Sequence, residues 1–357
     1  MSVPPEALRA QVPADVLAVC RRLREAGHQA HLVGGGVRDM IAGRPPADFD
    51  LATDARPDAV VALFRTFAIP TGLKHGTVTV LTETRRPVEV TTFRGEGEYL
   101  DGRRPTSVTY VDSLAEDLGR RDFTMNAIAF DPLDGRLTDP YDGQGDLGRR
   151  LIRAVGDPLV RFREDGLRPL RAVRQAAQLE FEVDPPTLAA IPRTLDVFRK
   201  VSAERVRDEL TKLLLAPRPV TGIRMLVDTG IAERVLPEVP ALRLEIDEHA
   251  RHKDVYEHSL TALEQAIELE ESRGHEPDLV LRLAVLLHDI GKPATRVIEP
   301  GGAVSFHHHD ALGARMAAKR LRELRFDNAV VKAVSELIRL HLRFFGYADG
   351  AWTDSAV

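Results

Sequence analysis

The segment 32–53, Leu-Val-Gly-Gly-Gly-Val-Arg-Asp-Met-Ile-Ala-Gly-Arg-Pro-Pro-Ala-Asp-Phe-Asp-Leu-Ala-Thr, constrains this chain more than any other stretch. It sets a glycine turn, an arginine and two alternating carboxylates inside one short unit. Phe49, Leu51 and Thr53 interleave with Asp48 and Asp50, which predicts a strand over residues 48–53. Residues i and i+2 of a strand point to one face, so both carboxylates can reach one metal. Two hard oxygen anions suit Mg²⁺, which binds through one or two carboxylates plus substrate phosphates. Upstream, Gly34, Gly35 and Gly36 lead into Val37-Arg38-Asp39-Met40-Ile41, which reads as a first helical turn. Free backbone N–H groups at such a turn favour a phosphate, and Arg38 adds charge. Gly-Gly alone is often only a turn, and Asp-x-Asp alone is often a solvated strand end. Together, at this spacing, they point to nucleotidyl transfer.

The 357 residues suffice for two or three compact units. A net charge of −5 is mild and does not mark the whole molecule as a polyanion binder, but residues 149–174 hold eight arginines against Asp157, Glu164 and Asp165. That segment can meet phosphates. A single cysteine, Cys20, excludes an internal disulfide. The absence of a signal-like N-terminus or an 18-residue apolar run leads us to expect a cytoplasmic location and no membrane partner. A helix is predicted over residues 14–26, closed by Gly27. Strands are predicted over 31–33, 48–53, 77–81 and 88–93, with a helix over 58–67. From about Leu147 the pattern turns helical and stays so. The expected organisation is an N-terminal helix (1–27), an α/β head (28–146), a helical neck (147–240) and a second helical domain (241–357).

With three further segments the stretch 32–53 resembles the class II tRNA nucleotidyltransferase and bacterial poly(A) polymerase family, within the polymerase β-like superfamily. Arg120-Arg121-Asp122-Phe123-Thr124-Met125-Asn126-Ala127 is similar to its ribose-reading motif. Glu164-Asp165-Gly166-Leu167-Arg168 is similar to the motif that reads the incoming base, and Glu204-Arg205-Val206-Arg207-Asp208-Glu209-Leu210 to the neck-helix motif. The four motifs stand in the family's order, and the resemblance covers roughly residues 25–350. It implies an α+β fold class: a polymerase β-like nucleotidyltransferase head followed by all-helical neck and HD-type body domains. The family pattern continues past Val357, so the expectation is a chain truncated before its tail domain.

The resemblance implies template-independent addition of CCA to the tRNA 3′ end from CTP and ATP, with release of pyrophosphate. Asp48 and Asp50 would hold Mg²⁺, which polarises the α-phosphate for attack by the RNA 3′-hydroxyl. The superfamily usually carries a third carboxylate on a later strand, and Glu89 is the candidate, against a plain surface residue. Gly35 and Arg38 fall to the phosphate side. Arg121 and Asp122 receive ribose contacts and Asn126 a supporting role, against a charged helix start. Asp165, Arg168, Arg171 and Arg174 recur every three residues, which on a helix drifts by roughly 60° per step and traces a slanted stripe. By resemblance Asp165 and Arg168 imitate a template base, and Arg171 and Arg174 contact phosphates; standing alone, the segment would read as a solvated basic face. Gly166 and Pro169 depart from the pattern. Pro169 would clash with the carbonyl of residue 165 in a regular helix. Either the helix begins near Gly166, with Pro169 in its first turn, or the base-reading geometry is perturbed.

A second metal site is open in the C-terminal half. His258, His288-Asp289 and the run His307-His308-His309-Asp310, followed by His341, resemble an HD-type phosphohydrolase domain. Imidazole and carboxylate suit a second divalent metal. His258, His288, Asp289 and Asp310 are the candidate ligands, with Asp310 standing in for the usual final aspartate. The spacing speaks for the HD fold more than for activity, because many such domains in the family are structural. Gly72-Leu73-Lys74-His75-Gly76-Thr77-Val78-Thr79-Val80 resembles the CCA-adding branch. Three alternatives stand beside it: a poly(A) polymerase, an HD-type metal-dependent phosphohydrolase with a nucleotide-binding head, and a non-catalytic RNA-binding protein. Asp48, Asp50 and Arg38 argue against the last. A C-only or A-only adder also stays open, because the loop around 94–105 is expected to tune the C-to-A switch. The sequence leaves the oligomeric state open.

Overall fold

A computed structural model describes residues 3–95, 109–243, 254–300 and 304–343. Most of the loop 94–105 lies outside the described residues. The chain divides into two compact units, one formed by residues 1–168 with 181–200 and the other by 169–180 with 201–357.

The first unit is built on a seven-stranded sheet. Its strands are β1 (His31–Val33), β2 (Asp50–Thr53), β3 (Ala68–Gly72), β4 (Thr77–Leu81), β5 (Pro87–Thr92), β6 (Ala129–Asp131) and β7 (Arg136–Thr138). They lie in the order β3-β4-β5-β2-β1-β6-β7. Only β2 and β5 pair in parallel. In β5 the side chains of Val88 and Val90 are buried while Glu89 is exposed, the alternation of a sheet with one face in the core. Val33, Ala52, Phe93, Leu118, Ala127, Ala129 and Val155 form a core cluster. Helix Ala14–Glu25 buries Val16, Val19, Cys20 and Leu23, an i, i+3, i+4, i+7 stripe.

The expected strand over 48–53 is shorter: it starts at Asp50. The Asp48 carbonyl instead packs on the helix Gly35–Ile41, lying 2.6 Å from where a Cβ on Gly36 would stand. Any side chain at 36 would push Asp48 away. Strand β3 was not legible because it contains Pro70, which a strand tolerates only at a sheet edge, where β3 lies. The predicted helix over 58–67 is Pro57–Phe64 followed by a tighter turn, Arg65–Phe67.

In the second unit the main helices are Ala203–Leu214, Pro219–Asp228, Val255–Ser272, Leu279–Leu287, His309–Glu323 and Asn328–Leu340. Leu279–Leu287 is apolar nearly all round, as a central helix must be. Its one charged residue, Arg282, is 3% exposed. The Arg282 guanidinium donates to Glu270 and to the carbonyls of Leu214 and Ala216, which end the helix Ala203–Leu214 without intrahelical donors. Breaking such a buried pair costs about 3–5 kcal/mol. Among the described residues no helix is long and apolar enough to cross a membrane.

The helix that carries the basic stripe runs Arg168–Leu179. Pro169 therefore sits in its first turn, where it needs no intrahelical donor, and the clash feared for a regular helix does not arise. Asp165 lies before the helix, so only the three arginines share it. Gly166 meets the Val197 carbonyl, 2.7 Å from an added Cβ, which accounts for a glycine there.

Candidate active site and metal centre

The carboxylates of the first unit are brought together by strand register. Asp50, the first residue of β2, stands opposite Glu89 of β5 in the parallel ladder, so both side chains leave the same face of the sheet. Asp48 is exposed just before β2. Burial pushes the Asp50 carboxyl up to about 7, helped by the neighbouring Asp48 and Glu89 charges and opposed by Arg121. A buried carboxyl raised in part by two neighbouring carboxylates marks a place short of positive charge, which suits a hard divalent cation. Gly34, with φ of 75°, faces both Asp50 and Arg121: their Oδ2 and Nη1 lie 3.8 and 3.3 Å from the position of a Cβ. Gly35 in turn faces the Arg38 guanidinium, 3.5 Å from such a Cβ.

Behind the carboxylates runs a polar network. Arg38 Nη1 donates to Asn126 Oδ1 at 3.1 Å, and Asn126 Nδ2 donates to Asp122 Oδ1 at 3.1 Å. Arg121 donates to Asp117, a carboxylate 1% exposed that also accepts from Arg120 and from the Arg94 backbone N–H. Asp117 is held below the usual carboxylate range: burial raises it, and the two guanidiniums more than offset that. Asp117 was not singled out from sequence, although its i, i+4 spacing to Arg121 on a helical segment was a usable signal.

Asp165 and Arg168 occupy different roles. Asp165 accepts from the Leu167 N–H, forming the turn between two helices. Arg168 is 8% exposed and donates to Glu164 and to the carbonyls of Arg161 and Arg120. In the second unit Arg171 and Arg174 both donate to Glu209 of the neck helix, and Arg174 is buried. A shared carboxylate thus fixes the two guanidiniums that the sequence assigned to phosphates.

The second unit gathers four imidazoles around one buried aspartate. His258, His288 and Asp289 form one group of convergent ligand atoms, and Asp289, His309 and His341 another, each within 4.8 Å. Asp289 is 1% exposed; its Oδ2 lies 3.1 Å from His288 Nε2 and 2.7 Å from Lys292 Nζ, and its Oδ1 3.3 Å from His309 Nε2. Burial raises its carboxyl, but the neighbouring His288, His309 and Lys292 side chains hold it well below the usual range. Nδ1 of His288, His309 and His341 donates to the carbonyls of Val285, Phe306 and Ile338 at 2.8, 2.8 and 2.6 Å. Those bonds select the tautomer that leaves each Nε2 lone pair free. His309 and His341 face each other Nε2 to Nε2 at 3.3 Å, close enough to share one ligand. The donor set fits a divalent transition metal.

Asp310 belongs to neither group among the described residues. It follows His309 on the helix His309–Glu323, and consecutive helical residues diverge by about 100°, so His309 turns in and Asp310 does not. His341 completes the group from the C-terminal end of Asn328–Leu340.

Comparison with known proteins bears on all of these sites. The family model described as the Poly A polymerase head domain matches residues 30–153, the probable RNA and SrmB-binding site of polymerase A matches 180–242, and the HD domain matches 255–354. The crystal structure of the Bacillus stearothermophilus CCA-adding enzyme in complex with CTP superposes with a TM-score of 0.59 at 32% identity, covering 94% of this chain and 82% of that one. The chain belongs to the family of CCA-adding enzymes and poly(A) polymerases. The CCA-adding enzyme of Lactobacillus johnsonii is 47% identical over 233 residues, 65% of this chain and 57% of its own length. That of Geobacillus thermodenitrificans is 48% identical over 218 residues, 61% of this chain and 53% of its own length. The chain thus spans little more than half the length of these curated relatives. The Thermotoga maritima CCA-adding enzyme complexed with tRNA shares the fold, with a TM-score of 0.62 at 18% identity. The α+β class, with a polymerase-type head and an HD segment, is that of the family.

Proposed function

We propose that the chain adds CCA to the 3′ end of tRNA from CTP and ATP, without a nucleic-acid template, and releases pyrophosphate. The observation that carries this reading is the register that sets Asp50 against Glu89, with Asp48 and Arg121 beside them. Asp48, Asp50 and Glu89 would hold Mg²⁺, whose charge stabilises the attacking oxygen and the leaving pyrophosphate. Arg38 is oriented by Asn126 toward the glycine turn at Gly35, on the phosphate side. Arg121 and Asp122, fixed by Asp117 and Asn126, face the sugar. Arg168 is locked by three acceptors, which suits a fixed guanidinium that reads a base edge together with Asp165. Arg171 and Arg174 act with Glu209 in holding the neck. The division into an N-terminal helix (1–27), head (28–146), neck (147–240) and HD-type domain (241–357) is supported by the three family segments. These substrates support a cytoplasmic location.

The convergent histidines favour a second activity, metal-dependent phosphohydrolysis at His258, His288, Asp289, His309 and His341. One experiment tests the main reading: incorporation, in the presence of Mg²⁺, of labelled CTP and ATP, each alone and both together, into tRNA lacking its last three nucleotides. Addition of two C and one A that disappears in Asp50→Ala supports CCA addition. Long A-tails would move the assignment to a poly(A) polymerase, and tRNA binding without transfer would sink the catalytic reading of the head.

A further inference from the structure

Away from the histidine cluster, two helices of the second unit enclose a basic groove of about 620 Å³. Helix His309–Glu323 contributes Ala311, Ala314 and Ala318 at an i, i+3, i+7 spacing, so the floor is low and a ligand can approach the backbone. Arg315 and Arg322 rise on one side, and Lys332 and Arg339, from Asn328–Leu340, on the other. All four cations are exposed. Their neighbours Arg320 and Arg325 are engaged by Glu238, Glu323 and Glu204, whereas the groove cations make no ion pair with any described carboxylate. The groove contains one acid, Glu336.

Two features separate this face from an ordinary solvated one. Solvated helix faces mix charges of both signs, and here four like charges border one channel with a single acid among them. Within each helix the two cations stand seven residues apart, about 10 Å along the axis, which is two turns on one face. A chain of repeating phosphates can touch both members of such a pair. Three of the four are arginines, whose planar fork matches phosphate oxygens.

We propose that this groove binds the phosphodiester backbone of RNA, as a contact surface for the tRNA outside the segment 180–242 that matches the RNA-binding family. The partner's identity as tRNA rests on the proposed function; the anion-binding chemistry does not. Backbone contacts of this kind position a nucleic acid without reading its sequence.

The test is tRNA binding by the full chain as a function of salt. In the variant R315Q/R322Q/K332Q/R339Q, affinity is expected to fall by about tenfold or more near 0.1 M salt, and the slope of log K against log salt to drop by about three, since each lost phosphate contact releases fewer counterions. The melting temperature and CTP affinity are expected to stay at wild-type values. The variant Glu336→Lys, which adds a cation to the groove, is expected to tighten binding. An unchanged slope overturns the proposal, as does an equal loss in a control lacking Arg9, Arg273 and Lys319, exposed cations outside the groove. Displacement of tRNA by polyglutamate as readily as by unrelated RNA would assign the groove to an acidic polypeptide instead. Wild-type protein that binds no tRNA at low salt overturns both this proposal and the proposed function, whereas normal CCA addition by a variant with unchanged binding overturns the groove alone.

Discussion

The head and the HD segment assemble charge in different ways. In the head, backbone register does the work: Asp50 and Glu89 are opposite partners on parallel strands, and burial, helped by the Asp48 and Glu89 charges, lifts the Asp50 carboxyl to about 7. In the HD segment, imidazoles arrive from separate helices, and backbone carbonyls select each tautomer around an aspartate that stays ionised. The first arrangement has too much negative charge and asks for a hard cation. The second offers imidazole nitrogens and asks for a softer one. A site built on strand register is specified by backbone pairing between two strands, whereas one built on helix ends depends on how several helices pack.

Activity should separate the two sites most strongly. Asp50→Asn is expected to lower nucleotide incorporation by about 10³-fold or more, at least the scale of losing one strong charge-stabilising group, while His288→Ala leaves it unchanged; single-turnover incorporation checks this, and equal losses would break the comparison. Metal binding should sort the other way. His309→Ala is expected to weaken Mn²⁺ or Ni²⁺ binding to the HD segment by about 10–100-fold, read by calorimetry, with Mg²⁺-dependent incorporation intact.

Gly36→Ala sharpens the role of local backbone in the head. Its Cβ would stand 2.6 Å from the Asp48 carbonyl, so the variant is expected to lose about 1–3 kcal/mol of stability, seen as a lower midpoint in urea, together with incorporation. The corresponding change at Gly313, whose nearest neighbour would lie at 3.3 Å, should be milder.

The pH dependence follows from Asp50. Its carboxyl is raised from 3.8 to about 7, so the metal-free fold keeps the proton that the unfolded chain has lost. This contribution to stability is complete below about pH 4 and is lost as pH rises toward 7. A metal must displace that proton, so Mg²⁺ affinity is expected to fall by about tenfold per pH unit below 7, measured by calorimetry; a flat profile would remove Asp50 from the site. The smallest effect belongs to Asp310→Asn, which is expected to leave metal binding at the histidine cluster unchanged, because that side chain turns away from the cluster.

The glycine turn, the alternating aspartates and the β-branched runs at 31–33 and 77–81 were legible because each signal lies within a few residues and is read by local periodicity. The strand that carries Glu89 was legible for the same reason, whereas its register opposite Asp50 came only from the sheet. The engagement of Arg171 and Arg174 by Glu209 was not legible, because Glu209 comes from another helix. The helical stripe does not extend to Asp165 for a local reason: the helix begins at Arg168, with Pro169 in its first turn.

By itself, the sequence determined the family, the α+β head and the helical remainder, and it named the carboxylates proposed for the head site. Those follow from side-chain chemistry at short spacing. Only the tertiary structure decided that His309 and His341, rather than Asp310, join Asp289, and that four cations on two helices share one groove. A helix turns by about 100° per residue, so an error of one position reverses what a side chain faces, and only packing fixes that phase.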